Sequence, residues 1–217
     1  MTRATNPNLD YIRKLYAPED ALQKEINASL AAMNMSIQVG AEEGKLLQFL
    51  VKTNNIKTIV EIGTLGGYSA IWMARGLTEG GHIYTLERDP KHAALARGFF
   101  EKSDVKDKIT LLEGNALDTL SQLSAKAPFD MVFIDADKIS YDTYLDWAET
   151  NVRKGGLIVG DNTLLFGAAA QDSPPESTAP TTWKNMRSFN ERMADTSKYY
   201  GLIIPTQEGL SVFVKLF

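Results

Sequence analysis

The sequence predicts an α/β fold: a doubly wound, mostly parallel, seven-stranded sheet with an antiparallel C-terminal hairpin at one edge. Three observations carry that expectation. Short β-branched runs alternate with segments of helical period between residues 57 and 161, and such alternation builds a parallel sheet with helices on both faces. A glycine-rich turn, Gly63-Thr64-Leu65-Gly66-Gly67, joins the run Thr58-Ile59-Val60-Glu61 to a helical stretch carrying Ile71, Met73, Ala74 and Leu77 on one side. Near the end of the chain, apolar runs at 200–204 and 210–216 flank Gln207-Glu208-Gly209, which is a hairpin signal.

The elements follow in order. Residues 8–33 read as helical, with Leu9, Ile12, Leu15 and Tyr16 and then Leu22, Ile26 and Leu30 at helical spacing. Pro18-Glu19-Asp20 marks a helix start, with proline in the first turn and acids at the positive end of the helix dipole. This segment either covers a site, joins a partner or simply covers core. A short loop at 36–44 leads to a helix over 42–53 around Leu46, Leu47, Phe49 and Leu50. Strands are expected at about 57–61, 82–87, 109–113, 130–135 and 156–161, with helices at about 67–78, 90–103, 115–125 and 138–152. Residues 167–182, GAAAQDSPPESTAPTT, hold three prolines and many small polar residues and read as a loop, either a lid, a substrate-binding loop or a passive insertion. One domain over 1–217 is expected: N-terminal helices and cap over 1–55, and the sheet over 56–217 with a variable loop at 164–182.

Composition narrows the function. With 44% hydrophobic residues among 217, the chain can bury a sizeable core. The formal net charge of -4 and the lack of a basic run argue against a nucleic-acid partner, which would be bound through phosphate neutralisation. There is no cysteine, so no disulfide framework and no thiolate metal site, and His82 and His92 alone do not make an imidazole-rich zinc site. The stretch MTRATNPNLDYIRK lacks the apolar core of a signal peptide, and no apolar run reaches the ~20 residues that span a bilayer. A soluble cytoplasmic protein without a membrane partner is therefore expected.

Every parallel strand ends in an acid: Glu61, Glu87, Glu113, Asp135 and Asp161. Ligands of open α/β sheets sit outside the carboxyl ends of the strands, so the acids should share one crevice. Glu113 is instead expected to cap the next helix. Glu87 lies 24 positions past Gly63, where an acid can hold both hydroxyls of a ribose. The turn lacks the G-x-G-x-x-G spacing that a pyrophosphate wants. A donor with a sulfonium amino acid, S-adenosylmethionine, has an ammonium rather than a phosphate there, and Glu61 could help position it.

The second cluster is Asp135-Ala136-Asp137-Lys138 with Asp161-Asn162. Two carboxylates and an amide oxygen form a hard-oxygen set suited to magnesium, manganese or calcium rather than zinc. Asp137 is read as a supporting residue or a helix cap, with a ligand role also open. Near a divalent cation the ammonium form of Lys138 is disfavoured, so this lysine could take a proton from a hydroxyl held there.

These residues resemble the metal-dependent, S-adenosylmethionine-dependent O-methyltransferases of the catechol and caffeoyl-coenzyme-A type. The resemblance rests on VEIGTLGGYSA (60–70), VFIDADK (132–138) and GGLIVGDN (155–162), with MNMSIQVGAEEGKLL (33–47) and VKDKITLLEGNA (105–116) beside them, and it covers roughly 20–217. It implies a Rossmann-like methyltransferase fold and a role for each matching residue. Val39 would contact the donor from the loop before the sheet. Glu61, Gly63, Thr64 and Ser69 would hold its methionine part, Glu87 its ribose, and Ala116 would lie by the adenine. Asp135, bordering the donor, would bind magnesium or a related ion with Asp161 and Asn162, and Lys138 would be the general base. An acid near the chain end would hold a second acceptor hydroxyl, for which Glu208 is the candidate. The implied acceptor is an aromatic vicinal diol, and the implied assembly a homodimer. Two other readings stay open: an NAD-dependent dehydrogenase, and a family member that binds the donor without turnover.

Overall fold

The computed structural model describes residues 6–206 and 208–217; positions 1–5 of the N-terminal stretch and Gln207 of the hairpin turn lie outside the described residues. Among the described residues three helices come first: α1 (Pro7–Tyr16), α2 (Ala21–Ala32) and α3 (Ala41–Thr53). The alternating part follows as β1 (Thr58–Ile62), α4 (Tyr68–Ala74), β2 (His82–Glu87), α5 (Pro90–Lys102), β3 (Ile109–Glu113), α6 (Ala116–Leu123), β4 (Phe129–Ile134), α7 (Tyr141–Asn151) and β5 (Val152–Gly160). The chain ends with α8 (Pro180–Met193), β6 (Tyr199–Ile204) and β7 (Leu210–Lys215).

The seven strands form one sheet in the order β3-β2-β1-β4-β5-β7-β6. β1 to β5 are parallel, and β7 runs antiparallel to both β5 and β6. This is the expected architecture. The order reverses between β1 and β4, so a crevice opens at their carboxyl ends, where open sheets take their ligands.

Strand alternation divides the core. Ile59 of β1 packs with α2, α3, α4 and α5 on one face, whereas Val60 and Ile62 pack with α6, α7 and α8 on the other. Local chemistry sets the helix starts. Asp20 caps α2: its Oδ1 accepts from the Gln23 backbone N–H at 2.8 Å, while the Gln23 side chain accepts from the Asp20 N–H at 3.0 Å. Such a reciprocal cap contributes on the order of 1 kcal/mol. Pro18 therefore lies before the cap, not in the first turn. Asp89 caps α5 from one side only, its Oδ1 accepting from the Lys91 N–H at 2.7 Å, with Pro90 as the first helical residue.

Three further expectations need correction. Glu113 does not cap α6; Asn115 does, accepting from the Leu117 N–H at 2.9 Å, and Glu113 pairs with Arg97 on the surface. The helix expected from 138 begins at Tyr141, because 138–140 form a turn. The long loop ends at α8, a helix the sequence reading did not foresee, and it contains a short 3-10 turn at Leu165–Ala170. Among the described residues no helix is long and apolar enough to cross a membrane.

Candidate active site

A cavity of about 800 Å³ opens at the carboxyl ends of the strands. The glycine turn forms one wall. Gly63 has φ +103°, and a Cβ there would stand 2.0 Å from the Asp135 carbonyl oxygen. Only glycine lets the β1 turn lie this close to the end of β4. Leu65, also left-handed at φ 48°, donates its N–H to Glu87 Oε2 at 2.8 Å, and Asp89 donates to Oε1 at 2.8 Å. Two backbone amides thus orient the Glu87 carboxylate at the end of β2.

Val39, Gly63, Thr64, Ser69, Glu87, Ala116, Asp135, Lys138 and Asn162 all line this one cavity, as does Glu208. Glu61 and Asp161 do not; both are buried just behind it.

Glu61 is wholly buried. Strand alternation puts it on the same face as Ile59, beneath the start of α4. Ser69 Oγ donates to its Oε1 and Thr85 Oγ1 to its Oε2, each at 2.5 Å, and the hydroxyls of Thr85 and Thr64 are 2.6 Å apart. Burial pushes the Glu61 carboxyl up to about 8 against those two hydrogen bonds, with the negative charges of Asp135 and Glu87 acting in the same direction as burial. The folded protein without its donor therefore keeps a proton that the unfolded chain releases near the ordinary glutamate value. The stability this contributes is fully present below the unfolded value and is lost as pH rises through about 8. A thermal melt series from pH 5 to pH 9 is expected to show that decline, and Glu61→Gln to flatten it; an equal decline in the variant would assign the effect elsewhere.

At the other end, the main chain of β4 and β5 continues its pairing one residue further. Asp135 N–H donates to Ile62 O, and Asp161 N–H to Ile134 O, each at 2.9 Å. This ties both acids to the sheet. Asp161 is 4% exposed. Burial drives its carboxyl well above the ordinary range, with Asp135 and Glu43 adding to the rise and Lys138 and the Asn162 N–H opposing it. Asn162 sits in the left-handed region at φ 57°, and its amide nitrogen donates to Glu208 Oε2. The amide oxygen is then the end available to face the carboxylates.

Lys138 Nζ lies 3.2 Å from Asp135 Oδ1, 2.8 Å from the Tyr141 hydroxyl and 4.8 Å from the centre of the Tyr141 ring. Asp137 turns away from this group: it accepts from the Ser140 N–H at 3.1 Å, the Ser140 hydroxyl at 2.7 Å and the Tyr144 hydroxyl at 2.8 Å. Burial opposes ionisation of Asp137, but the donated bonds hold its carboxyl below the ordinary value. It closes the turn before α7 rather than joining Asp135.

A hard divalent cation fits this chemistry. Two mutually repelling carboxylates, one of them buried and driven toward its neutral form, stand beside an amide oxygen. Among the described residues, no three histidine, cysteine, aspartate or glutamate side chains converge as a metal set; the candidate donors are two carboxylates and one amide.

The sequence reading missed several residues here. Arg88, His92, Tyr144, Leu165 and Phe166 also line the cavity, and Tyr141 lies beneath it. The available signal for Tyr141 was its spacing, three residues beyond Lys138. Leu165 and Phe166, with φ of 47° and 54°, bring the start of the variable loop to the cavity mouth.

A family profile described as O-methyltransferase matches residues 16–216. The chain is 42% identical over 183 residues to a catechol O-methyltransferase of Niastella koreensis, covering 83% of this chain and 81% of the relative. It is 34% identical over 155 residues to a caffeoyl-CoA O-methyltransferase of Populus kitakamiensis, covering 70% and 64%. Its backbone superposes with a TM-score of 0.85 on an O-methyltransferase from Bacillus cereus in complex with SAH, at 34% identity, covering 95% of this chain and 96% of that one.

Proposed function

The chain belongs to the O-methyltransferase family and is an S-adenosylmethionine-dependent enzyme, and from that premise we propose that it methylates one hydroxyl of an aromatic vicinal diol, of catechol or caffeoyl type, with a divalent cation at Asp135, Asp161 and Asn162. The dinucleotide alternative falls with the family. The observation that supports the acceptor class is the continuity of one cavity from Ser69 and Glu87 to Asp135, Lys138 and Asn162. Magnesium suits three oxygen donors best, with manganese or calcium as substitutes.

The donor brings a methyl group on a sulfonium sulfur, and the cation, when bound, makes the acceptor's hydroxyls more acidic. The chain's own residues do the rest. Ser69, Thr64, Gly63 and Val39 hold the methionine part, with Glu61 behind them as the counter-charge to the ammonium. Glu87 holds the ribose hydroxyls, and Ala116 flanks the adenine. Glu208 steadies Asn162 and faces the second hydroxyl of the acceptor. Lys138 takes the proton as the oxygen–carbon bond forms and the sulfur–carbon bond breaks, leaving the methyl ether and the thioether product. Holding both reactants in attack geometry supplies much of the acceleration, up to ~7–11 kcal/mol in favourable systems.

In the same proposal residues 1–217 act as a single methyltransferase domain in the cytoplasm, with 1–55 as its cap and 164–182 as its acceptor-selecting loop. α1 exposes Tyr11, Ile12, Leu15 and Tyr16, which supports a homodimer through that face. The deciding experiment is a screen of vicinal diols and isolated phenols with isotopically labelled donor, with and without chelator. Transfer confined to diols, lost with chelator and restored by magnesium, is expected. Transfer to isolated phenols that survives chelation would remove the metal and the diol together.

A further inference from the structure

We infer that Tyr141 is a positioning residue: its buried hydroxyl, anchored to the main-chain ends of β4 and β5, aims the nitrogen of Lys138 and so sets which of two neighbouring acceptor hydroxyls loses its proton. The inference rests on the reading of Lys138 as the base.

The Tyr141 ring is fully buried, with Phe189 of α8 against it at 5.2 Å between ring centres in an edge-on arrangement. Its oxygen lies 2.9 Å from the Ile134 carbonyl and 2.7 Å from the Asp161 carbonyl. A phenol has one proton and spare lone pairs. Two carbonyls, which can only accept, compete for that proton, so toward Lys138 the hydroxyl can only accept. Burial, reinforced by the charges of Asp135 and Asp161, raises the Tyr141 hydroxyl well above its ordinary value, so the phenol stays neutral.

Tyr141 at 2.8 Å and Asp135 at 3.2 Å both accept from the Lys138 nitrogen, so two of its bonding positions are fixed from the strand ends and what remains is left for the cavity that Lys138 lines. The lysine side chain has four rotatable bonds, and without a second anchor its nitrogen can swing about Asp135 alone. Tyr141 supplies that anchor from a fixed place, because its oxygen is held by the carbonyl of Asp161, the neighbour of Asn162. The same tyrosine thus references Lys138 to the strand ends that carry the proposed metal donors.

The test uses full-length Tyr141→Phe, Lys138→Ala and the double variant, with 3,4-dihydroxybenzoate as an unsymmetrical acceptor. Active sites are counted by titration with S-adenosylhomocysteine. Tyr141→Phe is expected to lower kcat per site about tenfold, leave both KM values within about twofold, and move the ratio of the two ring-methylated products toward equality. In the Lys138→Ala background the same change is expected to have no further effect, since the residue acts only through the lysine. Additive losses, or an unchanged product ratio in folded Tyr141→Phe, would overturn the inference while leaving Lys138 as the base. Full activity in Lys138→Ala would overturn the base assignment, and this inference with it. If Tyr141→Phe does not fold, Phe189→Leu loosens the ring and keeps the hydroxyl; a product ratio unmoved in that variant counts against the inference, and a shift toward equality supports it.

Discussion

Asp161→Ala is expected to lower turnover of a catechol by about 10³-fold, equivalent to roughly 4 kcal/mol of lost transition-state stabilisation. The loss should fall on the acceptor half of the reaction. Binding of S-adenosylhomocysteine should change less than about threefold, because the donor-side residues Ser69, Thr64 and Glu87 do not touch Asp161. Stability should move the other way. Asp161 is a buried acid pushed toward its neutral form by its surroundings and by Asp135, so the donor-free fold gains little from its charge. Removing it costs the acceptor of the 2.7 Å bond from the Asn162 N–H but relieves repulsion with Asp135. A melting temperature at neutral pH no lower than that of wild type, together with an inactive site, separates loss of a metal ligand from unfolding. Chelated wild type should match the variant, and chelator should leave the variant unchanged. An active Asp161→Ala variant that chelator still inhibits would place the cation elsewhere.

The five parallel strands were legible because each is a compact apolar run that ends at, or is followed by, an acid or a glycine, and the seven-stranded sheet was expected from those five units and a C-terminal hairpin. The site was legible for a related reason: acids at strand ends have few purposes in the core. The sequence conveyed less about which acids reach the cavity. Glu61 reads as a donor contact, but the two-residue period of β1 turns it under α4, behind Ser69. Helix α8 was hidden by its neighbours. The proline-rich, small-residue run 167–182 absorbs its first turn, although Pro180 is a good first helical residue and Met186, Phe189 and Met193 form a buried stripe. That miss matters for function, since Phe189 packs on Tyr141 and Tyr141 meets Lys138. The three-residue spacing from Lys138 to Tyr141 is a signal of proximity but not of role. Only the fold brings the carbonyls of Ile134 and Asp161 to its hydroxyl.

Lys138→Ala is expected to lower kcat by 10²- to 10⁴-fold, the range typical of a lost general base. The side chain is mostly buried, 18% exposed, and held from two sides by Asp135 and Tyr141, so it is placed to act on one point of the cavity rather than to screen the site at large. KM for donor and acceptor should stay within about threefold, as for an interaction made in the transition state only. A cation lost near Asp135 could also lower the rate, by disturbing the carboxylates, and acceptor acidity distinguishes the two causes. A base matters only when a proton must be removed. For a catechol whose hydroxyl is already ionised at the assay pH, the ratio of wild-type to variant turnover should shrink toward unity, and for a weakly acidic catechol it should be largest. If Lys138 instead maintains the electrostatics of the Asp135–Asp161 pair, the ratio should be the same across the series. A flat series, or a variant with unaltered kcat, would sink the assignment, while a slope that disappears on adding a primary amine able to enter the space left by the side chain would identify proton removal as the step the lysine performs.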